Sequence, residues 1–213
     1  VPKQGIALRA CAHAVPFGID PGPFVEAEPD PSLRAELLAK CGRPSAVALL
    51  VAVCRLHPEK RVPVLIDALP KLGPDYALVI FGDGPSRDAI EKRARATEGV
   101  HLAGYTRDRP SLARAVASAD IFVHGSAAET YGLVVAEALA AGVPVVVPSA
   151  GGAAEVADEA RSERYTPGDP RALAAAVRAL RAKRDEGALT MGRQRVRTLD
   201  DHFRELFEHY CKP

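Results

Sequence analysis

Two carboxylates stand out because of where the chain places them. Glu129 and Glu137 lie in the segment AAETYGLVVAEALAAGVPVVVP, residues 127–148. The spacing predicts that Glu137 lies on a packed helix among leucine, valine and alanine side chains, where a carboxylate is costly unless it finds hydrogen-bond donors. One hypothesis is that Glu137 accepts hydrogen bonds from vicinal hydroxyls, such as those of a ribose. The alternative is a structural acid that pairs with a basic group elsewhere in the fold.

The start of this predicted helix is a second candidate feature. Backbone N–H groups near Gly132 and Leu133 have no acceptor within the first helical turn, and such groups attract anions. A phosphate bound there would place an attached sugar beside Glu129, which precedes the helix. The two acids and the helix start are therefore predicted to form one ligand-binding strip.

Three cations follow the first predicted strand. Arg55 leaves the strand end, and Lys60 and Arg61 come after Pro58, in the predicted first turn of the next helix. Cations there oppose the helix dipole, which is reasonable if an anion binds between them. A guanidinium and an ammonium group together suit a diphosphate. The alternative is a solvated loop whose cations pair with Glu59 or another acid.

Glycines mark the next two loops. Gly82 and Gly84 resemble part of a dinucleotide-binding fingerprint, but Arg87 occupies the place of its third glycine, which favours a tight turn over a direct phosphate contact. Gly104 and Tyr105 end the third strand and offer backbone groups and a ring face to a nucleotide base. A plain turn with a packed tyrosine is the alternative for that loop.

His124 ends the fourth predicted strand at the same edge. It could contact a sugar, although the sequence favours a satisfied, half-buried histidine. In the fifth loop, Gly151 and Gly152 permit a close backbone approach or a left-handed turn. We identify no Ser-His-Asp set and no metal-ligand cluster in the sequence, and we expect neither a metal nor a cofactor.

The elements that position these residues alternate along the chain. Strands are predicted at 46–53, 76–81, 100–104, 120–124 and 143–148. Helices are predicted at 30–40, 61–72, 86–96, 110–119, 131–141, 171–183 and 199–210. Repeated β-α units indicate an α/β fold with an open, mostly parallel, Rossmann-like sheet and helices on both faces. Ligands of such sheets bind at the carboxyl ends of the strands, where the candidate residues fall.

Composition narrows the class of protein. Basic and acidic residues number 28 and 27, so the chain lacks the basic surplus of a nucleic-acid-binding protein. No apolar run approaches ~20 residues and no signal-peptide pattern opens the chain, so neither a transmembrane segment nor secretion is predicted. The cysteines are scattered without metal-ligand spacing, which predicts free thiols and a cytoplasmic location.

The ordered motifs resemble a known family. They are PFGID, RLHPEK, FGDGP, LAGYT, ADIFVHGSAAETYGLVVAEALAAGVPVV, GGAAE and TPGDPRALAAAV. Together they are similar to the nucleotide-sugar-binding half of retaining glycosyltransferases of the GT-B fold, family four. The most specific element is the glutamate pair in its strand-loop-helix setting. The resemblance implies transfer of a hexose from a UDP- or GDP-sugar to a hydroxyl of a glycan or lipid-linked acceptor, with retention.

The resemblance also implies residue roles. Arg55 and Lys60 match the pair that neutralises the donor diphosphate. Glu129 matches the acid that binds donor-sugar hydroxyls, and Glu137 matches the acid that holds the ribose. Family members use no metal for this step, which is physically coherent because two cations and a helix terminus supply comparable charge stabilisation.

Backbone groups complete the implied donor site. The N–H groups near Gly132 and Leu133 match the phosphate contact, and residues 104–106 (Gly104, Tyr105 and Thr106) match the region close to the base. Gly82 is a further candidate for contact with the nucleotide-sugar donor. Two departures stand beside these matches: Cys54 replaces a glycine usual before the arginine, and Gly125 replaces a common proline, which is expected to loosen the loop before Glu129.

The largest departure is length, because family members carry an N-terminal acceptor domain that is not visible in this sequence. We therefore expect residues 1–24 to be an interdomain lead-in, 25–196 the nucleotide-sugar-binding domain and 197–213 a crossover helix. Without an acceptor domain or a partner chain, this chain is expected to be inactive. Peripheral contact with a membrane is compatible with the sequence. The alternatives are a free-standing nucleotide-sugar-binding module, a degenerate remnant without transferase activity, and an unrelated α/β domain with structural acids.

Overall fold

Six strands form one parallel β-sheet in the computed structural model, which describes residues 15–210. The strands are β1 (Ala48–Val53), β2 (Tyr76–Phe81), β3 (Val100–Gly104), β4 (Ile121–Val123), β5 (Val145–Pro148) and β6 (Ser162–Tyr165). Their order is β3-β2-β1-β4-β5-β6, and all five pairings are parallel. The predicted open parallel sheet is confirmed. Its order reverses at β1 and β4, which places the loops that follow these two strands side by side.

Helices connect the strands. They are α1 (Gly22–Glu26), α2 (Pro31–Lys40), α3 (Val62–Leu72), α4 (Arg87–Arg95), α5 (Arg109–Ala117), α6 (Leu133–Ala140), α7 (Gly152–Val156), α8 (Pro170–Asp185) and α9 (Leu199–Tyr210). Asp30, Asp108 and Asp169 cap α2, α5 and α8 by accepting hydrogen bonds from backbone N–H groups of their first turns. In each of these three helices, the capping aspartate is followed by a proline at the first or second helical position. The sequence signal for the start of each helix is therefore strong.

The core lies on both faces of the sheet because side chains of a strand alternate in direction. Leu50 and Ala52 of β1 belong to a buried cluster that includes side chains of α3, α4 and α8. Leu49 and Val51 are equally buried and point to the opposite face, where α1, α5 and α6 contact one another. The unbroken apolar run of β1 therefore reflects burial on two faces.

Three short elements differ from the sequence prediction. β6 was not predicted, because SERY carries charge at its centre and forms a short edge strand, where apolar periodicity is weak. α7 lies where a loop alone was predicted. α1 begins within the predicted lead-in of residues 1–24, and its Phe24 is 1% exposed, so the end of this stretch contributes a side chain to the core. Residues 1–14 lie outside the described part of the chain.

Contacts divide the chain into two units, 21–196 and the pair of terminal segments 1–20 and 197–213. In the terminal unit, the Ile19 N–H donates to the Arg197 carbonyl, and the Leu199 N–H donates to the Ile19 carbonyl. The predicted helix at 199–210 is present as α9, whose Phe203 and Phe207 are largely exposed. No helix within residues 15–210 combines the length and apolarity needed to cross a membrane.

Candidate functional site

The loops at the carboxyl ends of the strands form a continuous edge. The Cys54 N–H after β1 donates to the Phe81 carbonyl (3.0 Å), and the Gly82 N–H after β2 donates to the Gly104 carbonyl (2.8 Å). These two bonds join the first three loops. Because the loops are tied to each other, residues far apart in sequence are held in one fixed arrangement.

Glycines allow these loops to approach closely. A Cβ atom on Gly82 would lie 1.8 Å from the Cys54 carbonyl oxygen, and one on Gly125 would lie 2.5 Å from the Lys60 carbonyl oxygen. Both distances are far below van der Waals contact, so only glycine fits. Gly82 is thus a packing residue between two loops, as the tight-turn interpretation expected. Gly125 brings the backbone of Lys60 against the loop that carries Glu129, rather than loosening that loop.

Lys60 and Glu129 form the central charge pair of this edge. The Lys60 Nζ donates to Glu129 Oε1 at 2.7 Å, and both side chains are 18% exposed. The His124 imidazole and, after it, the Lys60 ammonium lower the pKa of Glu129 from 4.5 to about 2, against the opposing effect of burial. Glu129 is therefore a carboxylate at every physiological pH. Its partner Lys60 was singled out from the sequence, but the pairing of the two was not predicted.

His124 is more buried and less satisfied than the sequence indicated. Its side chain is 3% exposed, and Nε2 lies 3.4 Å from Glu129 Oε1 without the alignment of a hydrogen bond. The backbone around it is held on both sides, because its N–H donates to the Val146 carbonyl and its carbonyl accepts from the Tyr165 hydroxyl, each at 2.9 Å. The favoured interpretation of a satisfied, half-buried histidine is wrong.

The backbone at Lys60 differs from the predicted first helical turn. Pro58–Lys60 is a separate 3₁₀ turn, Arg61 follows it in the left-handed conformation (φ 49°), and α3 begins at Val62. Pro63 gives the reason, because a proline inside a continuous helix would clash with the carbonyl of residue 59. The prediction that Lys60 and Arg61 lie in the first turn of the helix is wrong, and the interruption directs Lys60 to Glu129.

Arg55 is the candidate cation that stays in solvent. Its side chain is exposed, and among the described residues it takes part in none of the ion pairs found. Its backbone carbonyl accepts from the His57 N–H at 2.9 Å, which shapes the loop after β1. Arg55 is thus able to reach an anion at the sheet edge without breaking an ion pair.

The start of α6 has the geometry that an anion site requires. Gly132 is its N-cap residue in the left-handed conformation (φ 87°), and no side chain caps the helix. The Gly132 carbonyl accepts the first intrahelical bonds, from the N–H groups of Val135 and Ala136. The N–H groups of Leu133 and Val134 precede these and have no intrahelical acceptor. Leu133 is 45% exposed, so this end of the helix is open to solvent.

Glu137 has a cationic partner. Its carboxylate accepts a hydrogen bond from Arg109 Nη2 at 3.0 Å, and its side chain is 13% exposed. The Arg109 guanidinium also lies 5.4 Å from the ring centroid of Phe24, within cation–π range. The structure therefore shows the ion pair that was the alternative to ribose binding. Arg109 was not singled out from the sequence, since nothing in RDRPSL distinguishes it from a solvated first-turn residue.

The predicted base region lies at the end of β3. Gly104 is in the left-handed conformation (φ 79°), and Tyr105 is 68% exposed, so its ring is not a packed core group. The Thr106 hydroxyl accepts from the Asp108 N–H at 3.1 Å. A cavity of about 260 Å³ is lined by Thr106, by Phe81 of β2 and by side chains of β3, α2 and α5.

Within residues 15–210, no group of three or more histidine, cysteine, aspartate or glutamate side chains is arranged to hold a metal ion. Two ion pairs lie at this edge, Lys60 with Glu129 and Arg109 with Glu137.

The parallel sheet with helices around it defines the chain as a Rossmann-like α/β domain. More narrowly, the chain belongs to the family of glycosyl transferases group 1, whose model matches residues 48–183. The resemblance drawn from the motifs is confirmed.

Curated relatives agree with this membership. The chain is 33% identical over 185 residues to a GDP-mannose-dependent alpha-(1-6)-phosphatidylinositol dimannoside mannosyltransferase of Mycobacterium tuberculosis, covering 85% of this chain and 47% of that protein. It is 35% identical over 218 residues to a GDP-mannose-dependent alpha-mannosyltransferase of Mycolicibacterium smegmatis, covering 98% of this chain and 55% of that protein. The chain thus spans about half the length of these relatives.

Solved structures share the fold. HepE of Anabaena, crystallised with UDP and glucose, superposes with a TM-score of 0.74 at 23% identity, over 92% of this chain and 55% of that one. Sucrose-phosphate synthase of Thermosynechococcus elongatus superposes with a TM-score of 0.68 at 26% identity, over 92% of this chain and 48% of that one.

Proposed function

We propose that this chain is the donor-binding half of a retaining hexosyltransferase that uses a GDP- or UDP-sugar, with GDP-mannose as the first candidate donor. The observation that carries the proposal is the Lys60–Glu129 pair at the carboxyl edge of the sheet, 2.7 Å apart. It supplies a cation for a diphosphate and an anion for sugar hydroxyls at one point. GDP-mannose is favoured because the curated relatives are named as GDP-mannose-dependent.

The donor would be bound by charge and backbone groups along the edge. Arg55 and Lys60 would neutralise the diphosphate, and the Leu133 N–H at the start of α6 would donate to a phosphate oxygen. Glu129 would accept hydrogen bonds from hydroxyls of the hexose. Arg55, Lys60 and the Leu133 N–H would then stabilise the negative charge that grows on the leaving diphosphate as its bond to the sugar breaks.

The nucleoside would lie along the other acid. Glu137 would accept hydrogen bonds from the ribose hydroxyls while it keeps Arg109 as a partner on the same carboxylate. The exposed ring of Tyr105 and the Gly104 and Thr106 backbone would lie beside the base. A leaving phosphate that takes the acceptor proton on the same face of the sugar accounts for retention.

Transfer itself would need an acceptor domain, supplied by a longer chain or by a partner. Catalysis depends on positioning the acceptor hydroxyl and excluding water, and one half of a cleft does neither. We therefore expect this chain to bind donor nucleotides and to transfer little sugar unaided.

Calorimetric titration of the chain with GDP, UDP, ADP and GDP-mannose tests the proposal. We expect binding that prefers one base and weakens about tenfold in Glu137→Gln, the loss of one charge-assisted hydrogen bond. Glu91→Gln is the matched control, because Glu91 is a helix glutamate that pairs with Arg95 on the exposed side of α4. Absence of binding to all four ligands, or an equal loss in the control, would contradict the proposal.

A further inference from the structure

His124 is a titratable group that the proposed donor site does not use. It is almost fully buried, and Nε2 is without a hydrogen-bond partner among the described residues. A buried polar nitrogen without a partner is costly, so its position calls for a physical reason. The reason lies in its neighbour: Nε2 is 3.4 Å from Glu129 Oε1, the same oxygen that accepts from Lys60 at 2.7 Å.

The ring has little room to move away from this oxygen, because its side chain is 3% exposed and the backbone on both sides of it is fixed. The N–H of His124 is bonded to β5 and its carbonyl to the Tyr165 hydroxyl of β6. Lys60 lies instead on the short 3₁₀ turn, at the end of a flexible stem, and has a second acid, Glu59, at 3.9 Å. Of the two groups that face Glu129, the ammonium is therefore the one that is free to turn.

A bound diphosphate would compete with Glu129 for Lys60. If the ammonium turns to the diphosphate, the Glu129 carboxylate, with its side chain only 18% exposed, loses the cation that balances it. A partly buried carboxylate without a cationic partner is strongly unfavourable. The group in place to replace the cation is the imidazole, the side chain that gains a proton near neutral pH.

Resting on the proposed donor function, we infer that His124 is a positioning residue for Glu129, and that its imidazole takes up a proton from solvent as a nucleoside diphosphate draws Lys60 away. The proton goes to a ring nitrogen, and the imidazolium then holds the carboxylate in place for the sugar hydroxyls. Binding of the anion and uptake of the proton are linked.

The other groups around the ring do not take this role. The Cys54 thiol lies within the electrostatic reach of Lys60 and Glu129, and burial raises its pKa to about 12, so it stays neutral. Burial raises the pKa of the Tyr165 hydroxyl, which stays neutral as well. Arg61, which faces Tyr165 from the start of α3, keeps its charge throughout. Neither the Cys54 thiol nor the Tyr165 hydroxyl can therefore replace the cation that Glu129 would lose.

Calorimetric titration with GDP in buffers of different ionisation enthalpy measures the protons exchanged on binding. We expect wild type to take up about half to one proton more per GDP than His124→Gln at pH 7. The ionisation of GDP itself is common to both proteins and cancels in the difference. His209→Gln is the control, since it removes a histidine of α9, outside the residues 21–196 that carry the proposed donor site, and should exchange protons as wild type does.

Two results separate the failure of this inference from that of the proposed function. GDP binding with equal proton exchange in wild type and His124→Gln overturns the inference and leaves the donor site standing. Absence of GDP binding by wild type overturns both. If His124→Gln does not fold, the imidazole resonances of wild type, assigned by NMR, replace it. A His124 ring whose shifts do not move toward the protonated form when GDP is added overturns the inference.

Discussion

Among the single residues of the site, Lys60 has two anions as partners. One is the Glu129 carboxylate, which is present in the fold, and the other is the diphosphate proposed as part of the ligand. The pair that Lys60 forms with Glu129 preserves both charges in a site that excludes most solvent. Surface ion pairs add little to stability, but a pair with both side chains largely buried holds its members in position. Its value is then pre-organisation, because the carboxylate already has the orientation and charge that a sugar would need.

Lys60→Met should weaken GDP binding by about tenfold or more, because it removes a charge-assisted contact to the diphosphate. Calorimetry gives the dissociation constants. Lys92→Met is the matched control, since Lys92 is an exposed lysine of α4 remote from the strand ends. Equal affinities for wild type and Lys60→Met would remove Lys60 from the donor site.

Glu129 predicts a pH dependence of stability. Its pKa is lowered from 4.5 to about 2, so its stabilising effect is complete above the unfolded value and is lost as the pH falls from about 5 to about 2. The free energy of unfolding in urea should therefore fall more steeply below pH 5 in wild type than in Glu129→Gln. The gap between the two proteins should close near pH 2. A gap that stays constant from pH 6 to pH 3 would show that Glu129 is not held by its neighbours.

At the scale of elements, the sequence predicted best where burial is continuous. β1 and β2 are long apolar runs, and α2 and α8 begin with capped Asp-Pro signals, so their pattern is unambiguous. β6 and α7 are short, partly charged and positioned by their neighbours rather than by their own periodicity. Their formation is a tertiary effect, which local sequence does not contain.

The candidate site shows the same division. Arg55, Lys60, Glu129 and Glu137 could be singled out from the sequence, because charged residues that follow apolar strands or lie within an apolar helix are conspicuous. The pairings could not: Lys60 meets Glu129 across 69 positions and Arg109 meets Glu137 across 28. Such pairings follow from the order of strands in the sheet, and topology is weakly constrained by sequence alone.

Gly132, the N-cap residue of α6, is predicted not to tolerate a side chain because it lies against α7. A Cβ atom there would lie 2.8 Å from the Cα of Ala153, and its φ of 87° is left-handed. Gly132→Ala should lower the free energy of unfolding by about 1–2 kcal/mol for the backbone, plus about 1–3 kcal/mol for overpacking. Gly42→Ala is the control, because Gly42 is also left-handed (φ 68°) but has open space around it. Equal losses in urea unfolding would show that backbone conformation alone matters at Gly132.

At the scale of the whole molecule, the site and the terminal unit are separable in sequence. Every residue proposed to bind the donor lies within residues 21–196, which form one compact unit. The chain carries a net charge of only +1, so no general field steers anions to it. The proposed recognition of a nucleotide sugar would therefore come from the local cations and the helix terminus at the strand ends.

A fragment of residues 21–196 should then fold cooperatively, because it contains every residue proposed to bind the donor. Its dissociation constant for GDP should lie within about twofold of that of the full chain, a difference of about 0.4 kcal/mol. Urea unfolding and calorimetry measure the two properties. A shorter fragment, 41–196, is the matched control, because it lacks α1 and α2 and with them the buried side chains of Phe24, Leu37 and Leu38. Each of these contributes about 1.5–3 kcal/mol on burial, which together approaches the whole stability of a typical domain. The fragment 41–196 is expected not to fold. If the fragment 21–196 does not fold either, the terminal segments belong to the domain that carries the site, and the two units unfold as one cooperative structure.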